Sequence, residues 1–235
     1  MLVEKPFVHR LIEAQALVDL AGAGGRCLVV AQNYRFGARQ RFLRDLLGAR
    51  RYGPVGYATF VHHRHRPEPR AFTMPYSMLI EMSVHHFDDF RAVFGAEPVA
   101  ITARSANPPW SRYPGAAAVQ ALLEWDLPGS PGFTLAYTGT FTSASDELTC
   151  RVECAGGAVL WDGDGVGVIP AGERVRQPLA PPAVARATEA SVADAWRAYI
   201  LEGREPEISG RHNLGTLRMI DAAIRSSETG QRVTL

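Results

Sequence analysis

Three residues on one predicted helix have the types and spacing for acid–base chemistry. Glu81, His85 and Asp88 recur at intervals of four and three residues within Met78–Gly95. On an α-helix that spacing puts them on one stripe. An imidazole changes charge near neutrality, and flanking carboxylates fix its tautomer and raise its basicity. Leu79, Met82, His86, Phe90 and Val93 take the opposite side, and Ile80, Val84, Phe87 and Phe94 widen the apolar surface. An acid, a histidine and an acid on an otherwise apolar helix should look into a cleft. A solvated face with ordinary charge pairs would use the same residues, and their types alone leave both readings open. Lys5, within Glu4-Lys5-Pro6, is a further candidate. A buried lysine with a lowered pKa can take a hydroxyl proton near neutral pH, whereas a lysine in a surface loop would not. Pro6 should hold the Lys5 backbone extended.

A second cluster is His62-His63-Arg64-His65-Arg66. The period of a strand puts His63 and His65 on one face and His62, Arg64 and Arg66 on the other. No third ligand suitable for a metal is evident nearby, so no metal site is expected. A solvated strand end is the preferred reading, and a basic lip for a polyol or acidic sugar is the other. Trp110, Tyr113 and Trp125 could stack on a sugar or simply fill the core. Cys27, Cys150 and Cys154 are an odd number of cysteines and read as reduced thiols of a cytoplasmic protein. A net charge of +1 with interspersed signs gives no case for nucleic acid or a membrane surface. No apolar run approaches the length of a bilayer span.

These residues must be positioned by two kinds of structure. Leu2-Val3 reads as the end of a strand, Val8–Gly22 as a helix stopped by Gly22-Ala23-Gly24-Gly25, Cys27–Gln32 as a strand buried on both faces, and Arg39–Leu47 as a second helix. That is the grammar of a parallel α/β sheet, with only two strands. Two strands cannot bury themselves well, so Val29, Val30 and the first helix are expected to leave apolar surface exposed. From Gly53 the pattern changes to strands at Val55–His63, Val99–Ser105, Ala117–Trp125, Phe133–Phe141, Glu147–Ala155, Ala158–Asp162 and Val166–Ile169. Short connections argue for a mostly antiparallel sheet. Pro178–Pro182 reads as a loop, Ser191–Gly203 and Leu214–Ser227 as helices, and Val233–Leu235 as a last short strand. The expected fold is α+β: a large, mostly antiparallel open sheet with helices on one face, plus a remnant parallel α/β unit.

Val3-Glu4-Lys5-Pro6 resembles the segment that closes the dinucleotide-binding half of the Gfo/Idh/MocA oxidoreductases, and Ser83–Gly95 resembles their His-x-x-Asp segment. Gln32–Phe36, Tyr52–Gly56, Ser209–Asn213 and Arg225–Gly230 are similar to further family segments, in family order. The resemblance implies that Lys5 and His85 manage the proton of a substrate hydroxyl, with Glu81 at the position of the family's usual aspartate. It implies NAD or NADP as cofactor near Glu4, Lys5, Pro6 and Asn33, and a sugar or polyol near Asp88, Arg35, His63 and Tyr113. It divides the chain into residues 1–50, the remnant of a Rossmann domain, 51–210, a substrate and oligomerisation domain, and 211–235, a closing helix and tail. It also implies association into a homo-oligomer through the open sheet face. No Gly-x-Gly-x-x-Gly follows a strand and opens a helix in this sequence. This chain alone is therefore not expected to bind the nucleotide. The alternative is a free-standing, non-redox protein that binds a carbohydrate or pairs with a partner subunit.

Overall fold

The computed structural model of the chain describes residues 1–70, 74–181 and 188–235. It begins with β1 (Leu2–Val3), α1 (Leu11–Ala23), β2 (Val29–Val30), a single 3-10 turn (Tyr34–Phe36) and α2 (Ala38–Gly48). β1 and β2 pair in parallel, Leu2 opposite Val29 and Val3 opposite Val30. The first helix starts three residues later than its apolar pattern suggests, after an extended Arg10.

The expectation of exposed valines is wrong. Val29 and Val30 are fully buried. Their cover comes from the far end of the chain. Val29 packs with Val192 and Ile208, and Ala14 and Val18 pack with Leu28, Leu214 and Leu217. The Val30 N–H donates to the Ile208 carbonyl, and the Gly210 N–H to the Leu28 carbonyl. Each such aliphatic side chain contributes about 1.5–3 kcal/mol when fully buried. The sequence pattern shows how few strands the unit has, but not that distant segments close it. The outer side of α1 stays open, with Ile12 and Leu20 each 70% exposed.

The larger sheet holds β3 (Val55–His65), β4 (Ala100–Ala106), β5 (Ala118–Leu127), β6 (Ser130–Thr140), β7 (Thr142–Cys154), β8 (Gly157–Asp162), β9 (Gly165–Pro170), β10 (Gln177–Leu179) and β11 (Val233–Thr234). Its order is β10-β9-β8-β7-β3-β6-β5-β4-β11. Every pair is antiparallel except β3 with β6. β10 overlaps the segment Pro178–Pro182, expected to be a loop. It is an edge strand, where a proline is tolerated because one side of the ladder is unpaired. Pro182 lies outside the described residues.

One face of the sheet is covered by α3 (Val84–Phe94) and α5 (Gly210–Thr229), with α4 (Thr188–Glu202) nearer to β2. Phe60, Phe87, Trp125, Phe133 and Tyr137 fill the layer between, each at most 1% exposed. α3 ends at Gly95, whose φ of +65° is the left-handed conformation that lets the chain leave the helix. The other face carries Tyr57 and Leu122, 56% and 41% exposed. The fold is α+β, as the sequence pattern predicts.

Candidate active site

The site is built where the end of β1, the start of α3 and the end of β3 meet. The helix before α3 is not a plain α-helix. Residues Leu79–Ser83 form a π-helical turn, and the Val84 N–H reaches back five residues to the Leu79 carbonyl. Such wide turns displace side chains from the α-helical stripe and recur at functional sites. Glu81 lies in this turn and His85 in the first turn of α3.

Lys5 follows β1 in a bend, and the Lys5–Pro6 peptide is cis. Its Nζ donates to the backbone carbonyl of Glu81 at 2.6 Å. The Glu81 side chain turns to Arg66, whose Nη2 donates to Oε2 at 2.7 Å. Arg66 is itself held from behind. Its Nε donates to the Tyr113 hydroxyl at 2.6 Å, and its guanidinium lies 3.5 Å above the Phe141 ring. The Tyr113 ring stacks on Phe141.

Burial lowers the Lys5 pKa to about 8, Arg70 and Arg66 push it the same way, and Glu81 and Glu4 oppose them. His85 is 4% exposed. Burial, and then the positive charge of Lys5, lower its pKa to about 3, so its imidazole is neutral. Tyr34 stacks on it, and Gln32 Nε2 donates to the Val84 carbonyl beside it. His85 Nδ1 and Glu81 Oε1 are both buried without a partner among the described residues.

The other residues named from the sequence stand elsewhere. Arg35 and Asp88 are paired with each other, Nε to Oδ2 at 2.8 Å and Nη2 to Oδ1 at 3.0 Å. Thr216 also donates to Asp88 Oδ1, and Arg35 Nη1 donates to the Glu207 carbonyl. The groups expected at a ligand are thus taken up by a buried ion pair between α3 and the 3-10 turn. Arg91 extends this cluster across α5, where the absence of a side chain on Gly215 leaves room for its guanidinium. His63 points to the open face of the sheet, away from α3, and pairs with Glu147 at 3.3 Å. Alternation along β3 gives that outcome, because His62 takes the helix side. Tyr113 meets the site through Arg66. Asn33 Nδ2 donates to Glu189 at 2.9 Å. Glu4 is exposed and acts on Lys5 only through its charge.

Tyr34, Arg66 and Gln32 are at the site and escaped the sequence reading as partners of His85, Glu81 and α3. Helical spacing puts His86 on the apolar side of the helix. There it forms a buried chain, Nδ1 to the Tyr137 hydroxyl at 2.9 Å and that hydroxyl to Ser83 Oγ at 2.8 Å. A signal available in the composition was also missed. Of the 25 basic side chains, Lys5 is the sole lysine and 24 are arginine. A guanidinium stays charged at any physiological pH, whereas a buried ammonium does not. The chain keeps its one lysine at this site. No group of His, Cys, Asp and Glu among the described residues is arranged to hold a metal ion. No helix among them is long and apolar enough to cross a membrane.

No family model matches the sequence, and no curated protein matches it. Solved structures do. An aldose-aldose oxidoreductase from Caulobacter crescentus, complexed with glycerol, superposes with a TM-score of 0.86 at 22% identity, over 100% of this chain and 71% of that one. An oxidoreductase from Agrobacterium radiobacter, in complex with NAD+, L-tartaric acid and magnesium, gives 0.82 at 19% identity, over 99% and 72%. A levoglucosan dehydrogenase in complex with NADH gives 0.79 at 15% identity, over 99% and 72%. The chain shares the fold of these oxidoreductases. The alignment takes in the small parallel unit as well as the large sheet, since it leaves at most 1% of this chain uncovered in each case.

Proposed function

We propose that this chain supplies the substrate side of an NAD(P)-dependent oxidoreductase acting on a sugar, a polyol or a related secondary alcohol. The observation that carries the reading is the chain's only lysine, bonded to the carbonyl of Glu81 four residues before His85, with its pKa brought to about 8. An amine of that pKa gives up and regains a proton near neutrality, as an acid–base group at an alcohol must. The neutral His85 imidazole can accept a hydrogen bond from the hydroxyl or share its proton. Glu81 balances the charge of Lys5, and Arg66 holds the Glu81 carboxylate. The shared fold with proteins bound to NAD+ and NADH supports the redox reading.

A bound nicotinamide would accept the hydride released from the carbinol carbon. The residues fit that group at one end only. The Glu4-Lys5-Pro6 bend and His85 suit the nicotinamide side. The glycines of Gly22–Gly25 close α1 at its C-terminal end, where the Gly24, Gly25 and Arg26 N–H groups already donate to the Leu20, Gly22 and Ala21 carbonyls, so they offer no cradle to a pyrophosphate. In this reading residues 1–50 are the end of a dinucleotide-binding domain, 51–210 the substrate and oligomerisation domain, and 211–235 the closing helix and tail.

The test begins with the nucleotide sequence immediately upstream of the Met1 codon. An in-frame, Gly-rich strand-turn-helix supplies the polypeptide to be assayed, and its absence would count against the reading. Reduction of NAD+ or NADP+ by sugars, polyols and sugar acids is the expected result, and Lys5→Met or His85→Asn should lower turnover by about 10²–10⁴. No reduction with any of these, or turnover indifferent to both substitutions, would overturn the reading in favour of a non-redox carbohydrate-binding or partner protein.

A further inference from the structure

We propose that the ligand of this site is a hydroxy acid of the aldonic type, carrying a carboxylate as well as the reacting hydroxyl, rather than a neutral polyol. The inference rests on the oxidoreductase reading and adds the charge of the substrate. Lys5 and Arg66 both bond to Glu81, Nζ to its backbone carbonyl and Nη2 to its carboxylate, and the exposed Arg70 acts on Lys5 through its charge. Two carboxylates oppose them, Glu81 and the exposed Glu4. The nearby Glu68 is taken by Arg112. With Lys5 protonated, the group carries one positive charge in excess.

The arrangement is also rigid on its cationic side. Arg66 is fixed by the Tyr113 hydroxyl, by the Phe141 ring and by Glu81, so an anion meeting it would not have to order a free side chain. Lys5 commits one bond to the Glu81 carbonyl, and an ammonium has three donors. Beside these cations, Glu81 Oε1 and His85 Nδ1 are enclosed and unpaired among the described residues. Unpaired buried polar atoms are costly and are normally matched by a partner. The Arg66 guanidinium suits a carboxylate, and the Lys5 amine, the imidazole and a carboxylate oxygen suit hydroxyls. Together they complement a molecule that bears both.

The test is calorimetric titration of the chain with D-gluconate, sorbitol and sorbitol 6-phosphate at low and high salt. Gluconate should bind at least about tenfold more tightly than sorbitol, and added salt should narrow the gap because the difference is ionic. Arg66→Gln should remove most of the preference. Arg66 is partly buried, so Arg70→Gln, at an exposed position, serves as the second variant and should reduce the preference without a change in melting temperature. Equal binding of sorbitol and gluconate overturns the proposal, as does tighter binding of sorbitol 6-phosphate, a preference unchanged in both variants, or no saturable binding of any probe. The measurement needs no nicotinamide. A protein that prefers gluconate but transfers no hydride keeps this inference and loses the redox reading. One that oxidises neutral polyols without preferring gluconate does the reverse.

Discussion

The ring of Tyr34 lies flat on that of His85, their centroids 4.0 Å apart and their planes 10° from parallel. This contact closes one side of the imidazole and helps to keep it dry. The consequence is a histidine held neutral, with its pKa lowered to about 3 by burial and by Lys5. His62 is similarly lowered to about 4, chiefly by burial. In the unfolded chain both would titrate near 6.5. Between that value and about 4 the unfolded state binds protons that the folded state refuses. Stability is therefore full above about pH 6.5 and is lost as pH falls, by up to about 1.4 kcal/mol per pH unit for each histidine. Urea unfolding at pH 7 and pH 5 should show the loss, and His85→Asn should reduce it. An equal loss in the wild type and in both His85→Asn and His62→Asn would show that these rings are not its source.

Lys5 offers a direct titration. As the only lysine it gives one Cε signal in a protein labelled with carbon-13 lysine. Its midpoint should be about 8. Glu81→Gln removes a charge that favours the ammonium and should move the midpoint lower. Arg70→Gln removes one that opposes it and should move the midpoint higher. A midpoint at the ordinary lysine value, unmoved by either change, would remove the basis for Lys5 as an acid–base group.

Asp88 and Arg35 are expected to matter for folding first. Their side chains are 3% and 6% exposed, and they are joined by two hydrogen bonds. Asp88→Ala leaves the Arg35 guanidinium buried without its main partner. The cost should be about 3–5 kcal/mol in chemical unfolding. A loss below about 1 kcal/mol, together with a large fall in ligand affinity, would return Asp88 to the substrate.

Much of this fold is legible in the sequence because period and punctuation agree. The alternation read over Val55–His63 and the glycine after Phe94 each specify a local structure that tertiary contacts do not override, and of the apolar run Cys27–Gln32 the central Val29–Val30 pairs as a strand. The site is legible only in part. Lys5, Glu81 and His85 are recognisable as chemical types, and the fold brings the Lys5 ammonium to the Glu81 backbone. The π-turn at Leu79–Ser83 is not legible, since period analysis assumes a uniform helix. Nor does spacing reveal that Asp88 is bonded to Arg35, 53 residues away. Partner choice among charged groups is a tertiary property. It also decides that Arg66, and not a neighbour on the same helix, fixes Glu81.

Nucleotide binding is the next expectation. The turn at Gly22–Gly25 is at the wrong end of its helix to direct amide N–H groups at a phosphate. The isolated chain should therefore show no saturable micromolar binding of NADH or NADPH when nicotinamide fluorescence is followed during titration. Saturable binding would mean that other residues of this chain form a phosphate site, and the division of labour proposed for residues 1–50 would have to be abandoned.

The last expectation concerns association. Tyr57 and Leu122 lie on the same open face of the large sheet, two strands apart, and are 56% and 41% exposed. Trp110, 74% exposed, lies beside a groove at the end of that face, lined by Val119, Thr138 and Thr140. Apolar side chains gathered on one sheet face favour contact with another surface, because covering them releases roughly 25 cal/mol per Å² of apolar area. Lone exposed residues on a helix, such as Ile12 and Leu20 of α1, do so less. A homo-oligomer formed through the sheet face is the expected state. Light scattering should report a mass above that of one chain, falling on dilution or on Tyr57→Lys. The charge introduced by Tyr57→Lys would have to be buried in such an interface, whereas in a monomer it would simply be solvated. A single-chain mass at every concentration, unchanged by Tyr57→Lys, would exclude the sheet face as an interface. A larger mass that yields to Ile12→Lys and not to Tyr57→Lys would place the contact on α1 instead.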